Sequence, residues 1–216
     1  LKEGILRSEK TISYRYQKKG EHRKMNKRLL VYYYEGMADF EFSAVAIIAG
    51  LFLGYRIDSF SKFTGPVKAM TGLVYQPTME WAELKSSGVG VFDGLIIPGG
   101  AKIEFHDEVL ELIRGFNGEG KLVAAICAGP EFLGKAGILN GRRFTASYTP
   151  EEIEEKVQEG VFPKTGWTSE KVVRDKNVIT ADGYSFIDFG IEIGDYFHLF
   201  KTQEDKENLR KELKGF

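Results

Sequence analysis

Apolar residues in this chain come in short dense runs separated by longer stretches of helical spacing. Arg28-Leu-Leu-Val-Tyr-Tyr-Tyr34, Phe92-Asp-Gly-Leu-Ile-Ile-Pro-Gly-Gly100 and Lys121-Leu-Val-Ala-Ala-Ile-Cys127 are apolar almost throughout, as strands buried on both faces of a parallel sheet are. The first reads as an interior strand. A helix over about Phe40 to Leu53, capped by Asp39, is apolar nearly all round and is expected to be buried on most sides. Tyr55 to Phe63, Val67 to Met70 and Leu73 to Tyr75 predict an edge strand with a hairpin, and Trp81 to Leu84 a single helical turn. Asp107 predicts the cap of a helix to about Phe116, and Pro130 the first turn of the helix after Cys127.

Beyond Arg143 to Ala146, read as a strand, Thr149-Pro-Glu-Glu152 opens a helix with a capping signal. Lys171 to Arg174 and Asn177 to Ala181 predict a hairpin turning at Asp175-Lys176. Ser185, with Asp188 three residues on, predicts a helix to about Lys201. Glu204 to Phe216 predicts a last amphipathic helix striped by Leu209, Leu213 and Phe216. Strands alternating with helices define an α/β protein: a doubly wound, mostly parallel sheet with helices on both faces.

Such sheets hold their ligands beyond the carboxyl ends of the strands. Three junctions converge there, at Glu35 to Glu41, Pro98 to Gly100 and Cys127 to Pro130. Cys127 ends a strand and precedes a helix N-terminus, a setting that stabilises thiolate, the nucleophilic form. The thiol is therefore expected to ionise more easily than a free cysteine. Glu41 lies in the first turn of its helix and can project over the sheet edge; beside a thiolate it would share a proton, with its own pKa raised. The N–H groups of Gly100 and Ala128 can form an oxyanion hole. Asp182-Gly-Tyr184-Ser ends another strand at the same edge, so Tyr184 is a candidate lining residue. The plainer readings are a space-filling cysteine, a glutamate that complements a helix dipole and glycines that only form turns. His106 reads as a loop residue, and His22 and His198 carry still weaker signals.

Composition narrows the function. One cysteine excludes an internal disulfide, and three scattered histidines predict neither a metal site nor a cofactor of that kind. A reducing, cytoplasmic setting follows. The most apolar helix is too short to span a membrane, which needs ~20 residues. Of 30 Lys/Arg and 31 Asp/Glu, eight and three fall within residues 1–24, leaving 22 and 28. The remainder favours neither nucleic acid nor a membrane surface and points to a small-molecule substrate. Residues 1–24 lack apolar periodicity and the apolar segment of a signal peptide. They are expected to be a disordered arm or a translated upstream stretch before a native Met25, a basic arm for a polyanion being the alternative. Residues 25–216 then form a single domain. Gly88-Val-Gly-Val-Phe-Asp-Gly94 precedes a strand and so is not a dinucleotide fingerprint.

Gly36-Met-Ala-Asp-Phe-Glu41, Asp93-Gly-Leu-Ile-Ile-Pro-Gly-Gly100, Ala124-Ala-Ile-Cys127-Ala-Gly-Pro130 and Ala136-Gly-Ile-Leu-Asn-Gly-Arg-Arg-Phe-Thr145 together resemble the ThiJ/PfpI family. That family includes a parkinsonism-associated protein deglycase and shares the fold of the class I glutamine amidotransferases. The resemblance implies a flavodoxin-like fold, a homodimer, Cys127 as elbow nucleophile, Glu41 as the carboxyl bonded to it, and Gly100 and Ala128 as oxyanion donors. Gly99, Ser147 and Tyr148 join Tyr184 as candidate pocket residues. Many hydrolytic relatives carry histidine directly after the cysteine, where this chain has Ala128. The deglycase branch brings a histidine from a later segment, where the nearest match is Ser147. No downstream His-x-Glu pair is present, which disfavours amidotransfer. The expected function is a cofactor-independent glyoxalase or deglycase acting on reactive carbonyls. The alternatives are a redox or stress sensor working through oxidation of Cys127, and an amidase- or peptidase-like hydrolase.

Overall fold

The computed structural model describes residues 27–215. The expectations for residues 1–24 and for Phe216 lie outside the described residues. Strands β1 (Arg28–Tyr32), β2 (Arg56–Phe60), β5 (Gly94–Ile97), β6 (Leu122–Ile126), β7 (Val172–Asp175) and β8 (Val178–Ala181) make one sheet in the order β2-β1-β5-β6-β8-β7. All neighbours are parallel except β7 and β8, which form the hairpin turning at Asp175-Lys176. Lys176 takes the positive φ that the turn requires. A separate two-stranded ribbon joins β3 (Val67–Lys68) to β4 (Val74–Tyr75). The architecture is the flavodoxin-like one expected, with β1 interior and β2 at an edge.

Alternation along the buried strands sends neighbouring residues to opposite faces, and so creates two cores. Leu30 and Tyr32 of β1, Leu95 and Ile97 of β5, and Val123 and Ala125 of β6 meet α3 (Asp107–Gly118) through Val109, Ile113 and Phe116, and α4 (Pro130–Lys135) through Phe132 and Leu133. Leu29, Val31, Ile96, Leu122, Ala124 and Ile126 point the other way. They meet the first helix, α1 (residues 39–52), through Val45 and Ala49, and α6 (Phe186–Tyr196) through Phe189 and Ile193. The last helix, α7 (Gln203–Lys214), adds Leu209 to a small third cluster with Ile48 and Ile191. It is also tied down by Lys206 to Glu192 and Asp195.

Several local expectations change. The first helix winds as a 3-10 turn over Asp39–Phe42, one α turn over Ser43–Val45 and a π-helical stretch over Ala46–Phe52. It is not buried on most sides, since Phe40, Ile47 and Leu51 are exposed. Asp39 does not cap it: Oδ2 accepts from the hydroxyls of Thr71 (2.6 Å) and Tyr75 (2.9 Å) instead, which fastens the β3–β4 ribbon beside the helix start. Arg143 to Ala146 is not a strand. Phe144 makes a single bridge to Trp167, because the adjoining place in the sheet belongs to the β7–β8 hairpin. Trp81–Ser87 (α2) is longer than the turn expected, α3 starts at Asp107 with no side-chain cap, and α6 stops at Tyr196 with Ser185 making no cap bond. Thr149 does form the full capping box with Glu152 at the head of α5 (Pro150–Gln158). No helix of the described residues is long and apolar enough to cross a membrane.

Candidate active site

Strand β6 delivers Cys127 to the carboxyl edge of the sheet, and the chain must turn at once into α4. The residue absorbs that turn at φ 62°, a conformation that costs a side-chain-bearing residue on the order of 1–3 kcal/mol unless its surroundings hold it. They do. The Cys127 N–H donates to Ala181 O at 2.9 Å, Cys127 O accepts from the Ser147 N–H at 3.0 Å, and the Gly129 N–H donates to Ile126 O at 2.8 Å.

Two loops close over the sulfur from the neighbouring strands. Tyr34 donates to Pro98 O at 3.0 Å, and the Ala38 N–H donates to Gly99 O at 2.7 Å, so the segment after β5 is stitched to the segment after β1. The Gly99 N–H donates to Glu41 Oε2 at 2.6 Å. This contact aims the buried Glu41 carboxyl at Cys127, with which it shares a hydrogen bond. A Cβ at Gly99 would lie 2.6 Å from Cys127 Cβ, and one at Gly183 would lie 3.0 Å from Sγ, so both positions are held to glycine by contact with the thiol. Gly99→Ala is expected to cost about 1–3 kcal/mol through overpacking and to slow alkylation of Cys127 by tilting the elbow. Thermal melts and iodoacetamide kinetics check this, and an unchanged melting temperature would show that the site yields freely.

Burial pushes the Glu41 carboxyl up to about 7, opposed by the Gly99 N–H and the thiol and reinforced by the charge of Asp182. Burial, and then the charge of Glu41, push the Cys127 thiol up to about 12, opposed by hydrogen bonds from Ser147 and the Ala128 N–H. The expected rise at Glu41 is present. The expected fall at Cys127 is reversed, because desolvation and an adjacent carboxylate outweigh the dipole of a helix only six residues long that begins three residues later. Above about pH 7 the pair therefore retains one proton, with sulfur its preferred holder.

Ser147 is also hydrogen-bonded to the sulfur. Its hydroxyl donates to Asp182 Oδ1 at 2.9 Å and accepts from the Gly183 N–H at 2.7 Å. Ser147, Tyr148, Asp182, Tyr184 and Trp167 line an open cavity of about 430 Å³. Gly100 borders a second cavity, of about 370 Å³, together with Tyr148, Glu131 and Lys156. Tyr148 stands between the two and donates its hydroxyl to Glu131 Oε1, while Lys156 lies 3.5 Å from Glu131 Oε2.

The residues picked from the sequence thus converge. Glu41, Gly99 and Ser147 each meet Cys127, and the Ala128 N–H reaches the sulfur. The Gly100 N–H has no acceptor among the described residues. Tyr184, almost fully exposed, stands on the cavity rim. No histidine pairs with Cys127 among the described residues: His106 packs edge-on against Phe63, and His198 lies beyond the end of α6. Glu131 and Trp167 escape the sequence reading. Glu131 has a signal, a carboxylate in the first turn after the elbow, whereas Trp167 reaches the cavity only through its bridge to Phe144. No group of three or more His, Cys, Asp or Glu side chains able to hold a metal ion occurs among the described residues.

An isonitrile hydratase from Pseudomonas putida is 31% identical over 132 residues, which are 59% of this chain and 53% of that one. A deglycase from Pyrococcus abyssi is 37% identical over 93 residues, 42% of this chain and 52% of the relative. A glutathione-independent glyoxalase from Caenorhabditis elegans is 33% identical over 123 residues, 56% and 61% of the two. The chain thus spans about half the length of the curated relatives it matches. Among solved structures, a DJ-1 superfamily protein from Agrobacterium tumefaciens superposes with a TM-score of 0.72 at 26% identity, covering 85% of this chain and 96% of that one. Drosophila melanogaster DJ-1beta gives 0.70 at 25% identity, covering 88% and 98%. The family model for the DJ-1/PfpI family matches residues 27–195, the span that holds the sheet, the elbow and every residue placed at the sulfur, and the chain belongs to that family.

Proposed function

We propose that this protein is a cofactor-independent, cysteine-dependent enzyme acting on reactive carbonyls, with 2-oxoaldehydes such as methylglyoxal as substrates. The observation that carries this reading is the thiol at a strained elbow, hydrogen-bonded to a buried carboxyl that ionises near neutral pH and to a peptide N–H. The relatives named deglycase and glyoxalase support the same class of chemistry.

Glu41 as carboxylate takes the thiol proton while sulfur attacks the aldehyde carbon, and the carbonyl electron pair moves to oxygen. The Gly100 and Ala128 N–H groups stabilise the resulting oxyanion. In the hemithioacetal, transfer of the aldehyde-derived proton to the neighbouring carbon oxidises the first carbon and reduces the second, so no external oxidant is consumed. The product is a thioester of a 2-hydroxy acid. Water cleaves it, releasing lactate and restoring the thiol. A sensor reading needs only one oxidation of the same thiol, and none of the three relatives named above carries a sensing activity in its name. An amide hydrolase of the Cys–His kind is not supported either, since no histidine pairs with Cys127 among the described residues.

Reduced protein is expected to convert methylglyoxal to lactate over many turnovers. Its kcat/KM should rise with pH through a midpoint near 7, as Glu41 loses its proton and becomes the base. If no lactate forms at any pH between roughly 6 and 9, although Cys127 remains alkylatable, the carbonyl reading is wrong.

A further inference from the structure

The contacts of Ser147 carry more than a place in a cavity wall. A serine hydroxyl has one proton and two acceptor sites. Here the proton goes to Asp182 Oδ1 at 2.9 Å, the Gly183 N–H fills one acceptor site at 2.7 Å, and the same oxygen is hydrogen-bonded to Cys127 Sγ. The hydroxyl can therefore donate to the carboxylate or to the sulfur, but not to both. The backbone is pinned while the proton is free to turn: the Ser147 N–H holds Cys127 O, the Gly183 N–H holds Ser147 Oγ, and Asp182 N–H is held by Lys171 O at 2.9 Å. If Asp182 loses the Ser147 proton from Oδ1, its Oδ2 still accepts from Ser185 Oγ at 3.3 Å.

We propose that Ser147 and Asp182 form a hydrogen-bond switch that governs the nucleophilicity of Cys127: the hydroxyl donates to Asp182 while sulfur holds its proton, and turns to the sulfur when the thiolate forms. Both are positioning residues. Asp182 competes with the thiolate for the only proton Ser147 can offer, and so holds the thiol in its protonated form until Glu41 removes the proton. The inference rests on the reading of Cys127 as the nucleophile and not on the identity of the carbonyl substrate.

The titratable groups facing the sulfur are Glu41 from α1, Tyr34 beyond the end of β1, Tyr148 from the loop before α5, and Asp182 through Ser147; Glu131 of α4 lies behind Tyr34 and Tyr148. Asp182 also acts on Glu41 by charge alone, raising its pKa. Any test must separate that direct effect from the route through the hydroxyl. A double-mutant cycle does so.

The rate of Cys127 alkylation by iodoacetamide, followed against pH by intact mass, needs no substrate and reads the thiolate directly. Asp182→Asn is expected to raise the rate near neutral pH about tenfold, the size of one hydrogen bond to a charged group. Ser147→Ala should lower it by about the same factor, and Ser147→Thr, which keeps the hydroxyl, should restore it. In the Ser147→Ala background the gain from Asp182→Asn should disappear, leaving only the opposite effect transmitted through Glu41, which ionises more readily without Asp182 and so disfavours the thiolate, and which is lost when Glu41→Gln is added. The proposal is overturned if Asp182→Asn accelerates alkylation equally with and without the Ser147 hydroxyl, or if Ser147→Thr behaves like Ser147→Ala while its circular dichroism and melting match the parent protein. Loss of methylglyoxal turnover with the alkylation pattern intact would count against the carbonyl substrate alone and leave the switch standing.

Discussion

Cys127→Ser is expected to abolish turnover of 2-oxoaldehydes, with a loss of at least ~10³-fold in kcat/KM, while leaving the fold in place. The substitution exchanges one atom. It keeps the Cβ that packs against Gly99 and Gly183, and it keeps the backbone bonds that hold φ at 62°. What it removes is acidity. A carboxylate that ionises near 7 can take a proton from a thiol whose anion receives hydrogen bonds from Ser147 and the Ala128 N–H. Taking one from an alcohol is uphill by further powers of ten, because a serine hydroxyl is a far weaker acid than even this raised thiol. Lactate production measured with a coupled assay, alongside a melting curve within a few degrees of the parent protein, checks both halves. Turnover that persisted in a folded Cys127→Ser protein would move the chemistry to another residue.

Glu41→Gln is expected to separate activity from stability in opposite directions. The carboxyl is buried, and its folded pKa of about 7 lies above the ordinary value of 4.5. A raised pKa means that the folded state binds this proton more tightly than the unfolded chain does. The stabilising contribution is therefore complete below pH ~4.5 and is lost as pH rises through ~7, the full loss amounting to about 3 kcal/mol. Glutamine carries no charge at any of these pH values. Its carbonyl can still accept from the Gly99 N–H, and its amide can face the sulfur as a donor. The variant should thus be more stable than the parent protein at pH 8–9, by up to about 3 kcal/mol, and the two should converge toward pH 5. Turnover, by contrast, should fall by about 10²–10⁴ with the base removed. Denaturant melts at two pH values decide this. A Glu41→Gln protein less stable than the parent at pH 8 would show that the ionised carboxylate earns its place in the fold.

Much of the architecture could be read directly from residue order. Continuous apolar runs at Leu29, Leu95 and Leu122 define buried parallel strands whatever surrounds them, because only a strand covered on both faces uses such a run. Pro98-Gly-Gly100 and Cys127-Ala-Gly-Pro130 mark where those strands must end, and Thr149 with Glu152 marks a helix start by a bond made within four residues. All of these are local signals. Where local signals compete with a distant partner they mislead. Arg143 to Ala146 has strand composition but finds only Trp167 beside it, and Asp39 is a good cap in isolation but is taken by Thr71 and Tyr75 from more than thirty residues away.

The site divides along the same line. That Cys127 stands at a strand–helix junction beside Glu41 is a consequence of order and spacing, because the topology brings every strand's carboxyl end to one edge. The direction in which the thiol is shifted depends first on how deeply the sulfur is buried and then on the charge of the carboxylate set against it, and the burial is set by packing, not by residue order. The partnership of Ser147 with Asp182 is decided by tertiary structure as well. Thirty-five residues separate them, and they meet because β8 lies next to β6, which sets Asp182 and Gly183 opposite the segment that follows the elbow. Sequence alone determined which chemical groups reach the sheet edge; the packing of the sheet decided which of them hold the proton.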